Sequence, residues 1–325
     1  MTKKVHFLID DVIWVLRDIT RCRPSSLFEN PFLKMLKIAH DSYGVKTQLN
    51  LFYRTDSFYG NDDFSLADVT DAYKKEWEEA SDWLKLGFHA KEEFPDYPHV
   101  NASYEDIKTL FKSVEREVIR FAGEQSFTYG VCPHWNAVSR EGVKALYDCG
   151  VRIMDVSIGE TFEYNGDPNS LPYGHAMRIL NNRQPETRVY SRGGPNLAIN
   201  HSICAYNHLL PEQFNRTRGK TDSIFDEEIG MFFKKFHLPD LTLNLIPGNE
   251  IETVLSPFIG NEYIGICDHE QYFYEDYLAY QLDYADKIYK MGKFLQKNGY
   301  EFIFAEELVK LSAYHEPSQW KSSYM

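Results

Sequence analysis

Short apolar runs rich in β-branched and aromatic residues alternate with longer amphipathic stretches along most of this chain, and that alternation restricts the fold more than any other feature. A β run that feeds an amphipathic stretch and then another β run is the signature of a βαβ unit. Repeated units build a mostly parallel sheet or barrel. Val5 to Ile9 reads as the first strand, a helix from about Ser26 stops before Gly44, and Lys46 to Tyr53 is the second strand. Between Leu66 and Leu84, apolar residues at three- and four-residue spacing predict a helix with one buried face, followed by a strand from Leu86 to His89.

The rhythm continues with a helix from Ser103 to Ala122, where Asp106 stands three residues after Ser103 as a capping box requires. Phe127 to Pro133 reads as a strand, Ser139 to Cys149 as a helix stopped by Gly150, and Val151 to Val156 as the next strand. From about 159 to 239 the alternation fails, and Gly, Pro, Asn and Arg punctuate short β-like pieces, the pattern of an insertion packed over one barrel end. Order returns with a strand Leu241 to Ile246, a helix after Pro247, a strand Tyr263 to Cys267, a helix Glu275 to Asn298 and a last strand Glu301 to Phe304. The expectation is one domain over residues 1–325, a distorted α/β barrel of about seven strands with a central insertion.

A chain of 325 residues with 43% hydrophobic content can bury a core of that size. Its formal charge of −13, without clustered Lys and Arg, excludes a nucleic-acid partner. Five scattered cysteines without Cys-x-x-Cys spacing point to a reducing compartment rather than a disulfide framework. The apolar run after Lys3 and Lys4 meets carboxylates too soon for a signal peptide, and no stretch approaches the roughly 20 apolar residues of a membrane span. A cytoplasmic protein without membrane association is expected. Oligomeric state leaves no trace in the sequence.

In a parallel α/β barrel, functional groups sit where strands end. Asp10 and Asp11 end the first strand, His89 the third, His134 the fourth and Asp155 the fifth, and His269 and Glu270 close the late strand. Successive strand residues point to opposite faces, and two adjacent carboxylates repel unless something positive lies between them. A divalent cation would resolve that; an ordinary strand end with one Asp capping a loop is the plainer alternative. Glu93, Asp96 and His99 follow His89 closely, and imidazole with carboxylate is a usual ligand set for zinc and other first-row ions.

These segments resemble the polysaccharide deacetylases. Asp10-Asp11 after an apolar strand is similar to that family's aspartate pair, in which the first Asp is the general base and the second binds the metal. His89-x-x-x-Glu93 resembles its His-x-x-x-His motif without the second histidine. Val131-Cys132-Pro133-His134-Trp135-Asn136 resembles its Arg-Pro-Pro-aromatic-Gly motif, with Cys132 in the arginine's place and His134 in that of the second proline. Cys267-Asp268-His269 resembles the motif that carries the general-acid histidine. The resemblance runs from about Val5 to Phe304 and leaves the insertion unmatched.

The resemblance implies a metal-dependent hydrolase that removes an N- or O-acetyl group from a carbohydrate-type substrate. Asp10 and His269 would be catalytic; Asp11, His89, Glu93 and His134 would hold a divalent metal, with zinc expected first; Trp135, Glu270, Tyr272 and Asp155 would line the substrate site. His134 and His99 are the candidates for the missing imidazole. Two alternatives stand beside this: a metal-free glycosidase using Asp10 and Glu270, and a catalytically silent relative that binds a carbohydrate or metabolite.

Overall fold

The structure, a computed structural model, describes residues 3–56, 62–94, 98–99, 102–136, 138–156, 162–163, 202–203, 223–235, 241–277 and 279–312. Asp96 and most of the expected insertion lie outside the described residues.

Three long strands, β1 (Lys3–Val12), β2 (Thr47–Phe52) and β3 (Leu84–Ala90), pair in parallel in that order. Two short strands, β4 (Gly130–Val131) and β5 (Ile153–Val156), follow. Phe162–Glu163 (β6) and Ser202–Ile203 (β7) form a separate antiparallel pair. Ser223–Asp226 (β8), Met231–Lys235 (β9), Tyr263–His269 (β10) and Tyr300–Phe302 (β11) complete the set. β10 and β11 both pair with β1 in parallel, so one sheet has five strands, while β4, β5, β9 and β8 form a second. An isolated parallel bridge joins Leu86 of β3 to Phe127, just ahead of β4. The architecture is thus α/β, with a parallel five-stranded sheet, a mixed four-stranded sheet and covering helices among the described residues.

Alternation along β1 separates two environments. Val5, Phe7 and Ile9 belong to the large apolar cluster that also holds Leu33 and Leu36 of the helix Pro31–Tyr43, all with no solvent exposure. Each fully buried side chain of this size contributes about 1.5–3 kcal/mol. His6, Leu8 and Asp10 face the other way, where Leu8 packs with Cys132 and Cys267 and the two polar residues meet β2. Both faces are buried, but one is polar.

Several elements differ from the sequence reading for identifiable reasons. The helix expected over Leu66–Leu84 is a 3-10 turn, Leu66–Asp68, followed by a helix only from Lys74 to Ala80. Arg120 donates to the carbonyls of Leu66 and Val69 at 2.8 Å, and the Leu66 carbonyl also accepts from Val69 N–H, closing the short 3-10 turn. The strand expected over Leu241–Ile246 is one bridge, Thr242 to Cys267, and a 3-10 turn, Leu243–Leu245. The helix expected from Glu275 begins at Tyr284. Trp14–Cys22, to which the sequence reading assigned no element, is a helix. Finally, the tail of the expected insertion is regular: β8 and β9 form a hairpin whose Gly230 has φ 83°, and β9 adds to β5 in parallel. The apolar run Met231-Phe232-Phe233 behind a glycine turn was the signal for it.

Candidate metal centre

The aspartate pair sits on a bulge. From Ile9↔Leu49 to Val12↔Leu51, β1 advances three residues while β2 advances two, and the extra residue places Asp11 at φ 63°. Bulges re-aim side chains, and Asp tolerates the left-handed region better than most residues. The expectation that adjacent residues face opposite ways therefore fails at this point. Both carboxylates turn towards the imidazole of His89: Asp11 Oδ1 is 3.2 Å from Nε2 and Asp10 Oδ1 is 3.8 Å from Nδ1.

His89 ends β3, and His134 leads the loop after β4, where Trp135 (φ 60°) and Asn136 (φ 53°) are both left-handed and turn the chain back. His134 Nδ1 lies 3.3 Å from Asp11 Oδ1 and 3.0 Å from His89 Nε2. The Phe52 ring packs against both imidazoles, at 5.5 and 5.1 Å. Asp11, His89 and His134 present ligand atoms all within 4.8 Å of one another, and all three are buried.

Each ring's outer nitrogen is committed. His89 Nδ1 is 2.7 Å from the carbonyl of Cys132, and His134 Nε2 is 3.1 Å from that of Glu93. A carbonyl can only accept, so both nitrogens donate, and the inner nitrogens, His89 Nε2 and His134 Nδ1, are left facing each other and Asp11. Apart from these rings, neither oxygen of Asp11 has a hydrogen-bond partner among the described residues. Outer nitrogens tied to backbone carbonyls and an orphaned buried carboxylate are the donor set a divalent cation requires. The electrostatics agree. Burial pushes the His89 ring down, but the carboxylates of Asp10 and Asp11 outweigh it and raise His89 to about 9. Burial alone would raise Asp11, yet the two imidazoles hold it well below the ordinary carboxylate range.

Asp10 stands beside this trio. Burial raises its carboxyl above the usual range, against the pull of His89. Its Oδ1 accepts from Asn50 Nδ2 at 2.7 Å, and its Oδ2 faces the thiols of Cys267 and Cys132 at 3.5 and 3.9 Å. His269 pairs with Asp10 in the register of β1 and β10, and its Nδ1 is 2.9 Å from Asn244 Oδ1.

The remaining expected residues are placed as follows. Glu93 contributes its backbone carbonyl to His134, while its carboxylate accepts from Gln271 at 3.0 Å. His99 donates from Nε2 to the carbonyl of His89 at 2.9 Å, and burial holds its ring neutral down to about 3. Trp135 is half-buried with its ring 5.6 Å from that of His134, and Tyr272 is buried against His269 and Tyr277. Asp155 lies deeper, 3.1 Å from His6 Nδ1.

Glu270 corrects one reading. Its Oε2 accepts from the backbone N–H groups of Ile13 and Trp14 at 2.8 Å and its Oε1 from that of Val15 at 2.7 Å, so it caps the helix Trp14–Cys22 from a distant strand end. Both oxygens are consumed, and the two-carboxylate glycosidase loses its second carboxylate. Asn50 and Gln48 were passed over in the sequence. Their signal was two amides at alternate positions of a strand otherwise apolar and wholly buried, Thr47-Gln-Leu-Asn-Leu-Phe52.

No family model matches the chain, and no curated protein matches it in sequence. Solved structures do. A 4-alpha-glucanotransferase from Thermococcus litoralis superposes with a TM-score of 0.50 at 11% identity, over 95% of this chain and 40% of that one. This chain therefore spans less than half of that enzyme. A family 4 acetyl xylan esterase from Clostridium thermocellum, solved with a cobalt ion, matches with a TM-score of 0.41 at 12% identity over 96% of this chain and 92% of that one. A peptidoglycan deacetylase from Bacillus subtilis matches with a TM-score of 0.39 at 9% identity over 100% and 98%. At these identities the likeness concerns the fold, and the chemistry is argued from the site.

Proposed function

We propose that the chain is a metal-dependent hydrolase that removes an acetyl group from a carbohydrate-type substrate, with the metal, zinc first, held by Asp11, His89 and His134. The observation that carries this reading is the pair of inner imidazole nitrogens turned towards Asp11 while each outer nitrogen donates to a backbone carbonyl.

A divalent ion bound there supplies a Lewis acid for an acyl carbonyl and lowers the pKa of water towards about 7. The chain's own residues supply the rest. Asp10 is the general base, taking the proton of the attacking water while Asn50 holds its carboxylate in place. His269, fixed by Asn244, gives a proton to the departing amine or hydroxyl. Trp135 borders the site and offers a face on which a sugar ring can stack. Burial of the trio keeps bulk water from competing for the charges.

The test uses protein purified without chelator. Stoichiometric zinc or another transition ion is expected, with release of acetate from acetylated xylo-oligosaccharides or N-acetylglucosamine oligomers. Asp10→Asn should keep the metal and lose roughly 100- to 10,000-fold in kcat. Protein that takes up no metal from added zinc or cobalt would end the proposal.

A further inference from the structure

We propose that Asn50 is a positioning residue for Asp10, and that its amide is locked in one orientation by a buried relay running back through Gln48 to His6. The inference deepens the function proposed above and rests on Asp10 acting as a base.

A side-chain amide has nearly the same shape either way round, so its partners decide which end faces which neighbour. Gln48 Nε2 lies 2.9 Å from the carbonyl of Gly130, which can only accept, and this fixes the Gln48 nitrogen on that side. The same nitrogen donates to Asn50 Oδ1 at 2.7 Å. Asn50 is therefore left with its nitrogen towards Asp10, where Nδ2 donates to Oδ1 at 2.7 Å. A flipped Asn50 would set its oxygen against the Asp10 carboxylate and its NH2 against that of Gln48. At the far end Gln48 Oε1 accepts from His6 Nε2 at 3.2 Å; His6 Nδ1 approaches Asp155 Oδ2 at 3.1 Å without making a hydrogen bond, so the relay ends at His6. Every amide link donates in the same direction, towards Asp10.

Three further observations tie the relay to the site. His6, Gln48, Asn50 and Asp155 have no solvent exposure, so water cannot substitute for a missing partner. Gly87 lies opposite Asn50 in register, and a Cβ there would come within 3.0 Å of Asn50 Oδ1 and 3.2 Å of Gln48 Nε2, so the glycine makes room for both amides. With Cys132 where the resemblance places an arginine, the other donors near Asp10 are thiols, which are weak. Asn50 is thus the strong donor that sets which oxygen of Asp10 is held.

The experiment compares wild type, Gln48→Glu and Asn50→Asp, each loaded with zinc and assayed on 4-nitrophenyl acetate, with bound metal measured alongside. Gln48 does not contact Asp10, and Glu keeps its size while removing the donor. The expected result is a kcat lower by roughly 10- to 100-fold for Gln48→Glu and at least as low for Asn50→Asp, with KM and zinc content unchanged. In parallel, the side-chain NH2 signals of Asn50 and Gln48 in 15N-labelled wild type should persist after transfer into D2O, and His6→Asn should remove that protection from both. A Gln48→Glu variant within twofold of wild-type kcat at full metal load overturns the proposal. So does an Asn50 amide that exchanges as fast as free asparagine. Should the wild type bind zinc yet hydrolyse no acetyl ester, the function proposed above fails and the amide exchange alone decides the relay.

Discussion

The Nε2 of His89 and the Nδ1 of His134 stand 3.0 Å apart in a buried pocket, each ring anchored through its other nitrogen to a backbone carbonyl. Two imidazole nitrogens that close share a proton or a metal ion, and a carboxylate beside both favours the positive guest. His134 stands where the resemblance to the deacetylases has a proline, and in the function proposed here its imidazole takes the place left open at Glu93.

His134→Ala is expected to weaken zinc binding by at least about 100-fold, since it removes one of the three proposed ligands. His99→Gln should bind zinc as wild type does, because His99 spends its Nε2 on the carbonyl of His89. Competitive titration against a chromophoric zinc chelator measures both. Loss in His99→Gln with none in His134→Ala would mean that His99 completes the set, and no loss in either would mean that neither does.

Metal affinity should depend on acidity through His89, whose ring is raised to about 9. Below that pH a proton must leave before a cation binds, so apparent affinity is expected to fall about tenfold per pH unit as pH drops from 9 towards 7. Calorimetry in buffers of different ionisation enthalpy would count the proton released. A count of zero at pH 7 contradicts the arrangement described.

Both carboxylate oxygens of Glu270 are engaged by backbone N–H groups. Glu270→Ala leaves three backbone N–H groups of the helix Trp14–Cys22 without their acceptor, for a loss of about 3 kcal/mol in unfolding free energy. Activity per folded, metal-loaded molecule should stay within a few-fold. Urea denaturation together with acetate release tests this, and a stable but inactive variant would revive the glycosidase reading.

His99 makes stability pH-dependent. Burial holds its ring neutral down to about 3 in the folded chain, against 6.5 for an ordinary histidine. The unfolded state therefore binds the extra proton between those values. The contribution is fully present above pH 6.5 and is lost as pH falls towards 3, by about 1.4 kcal/mol per unit for a single group. Urea midpoints of wild type and His99→Gln between pH 4 and 7 should diverge with that sign; parallel curves would rule it out.

Sequence periodicity was enough for the long elements because it records burial directly. β1, β2, β3 and the helix Tyr104–Ala122 fall where alternation and three-to-four spacing put them, and the Ser103–Asp106 capping box forms as read. It failed where partners far along the chain meet the backbone: the segment from Leu66 is a 3-10 turn whose carbonyls accept from Arg120, and β9 pairs in parallel with β5 from within the supposed insertion.

The candidate site divides in the same way. Asp10, Asp11, His89, His134 and His269 are legible from the sequence because strand-terminal acids and imidazoles after apolar runs are visible in one dimension. Tertiary structure alone decided their employment. A one-residue bulge turned adjacent carboxylates to one side, backbone carbonyls chose which nitrogen of each imidazole faces Asp11, and three helix N–H groups claimed Glu270. Hydrogen-bond direction depends on which groups meet across strands, and spacing along the chain holds no record of that.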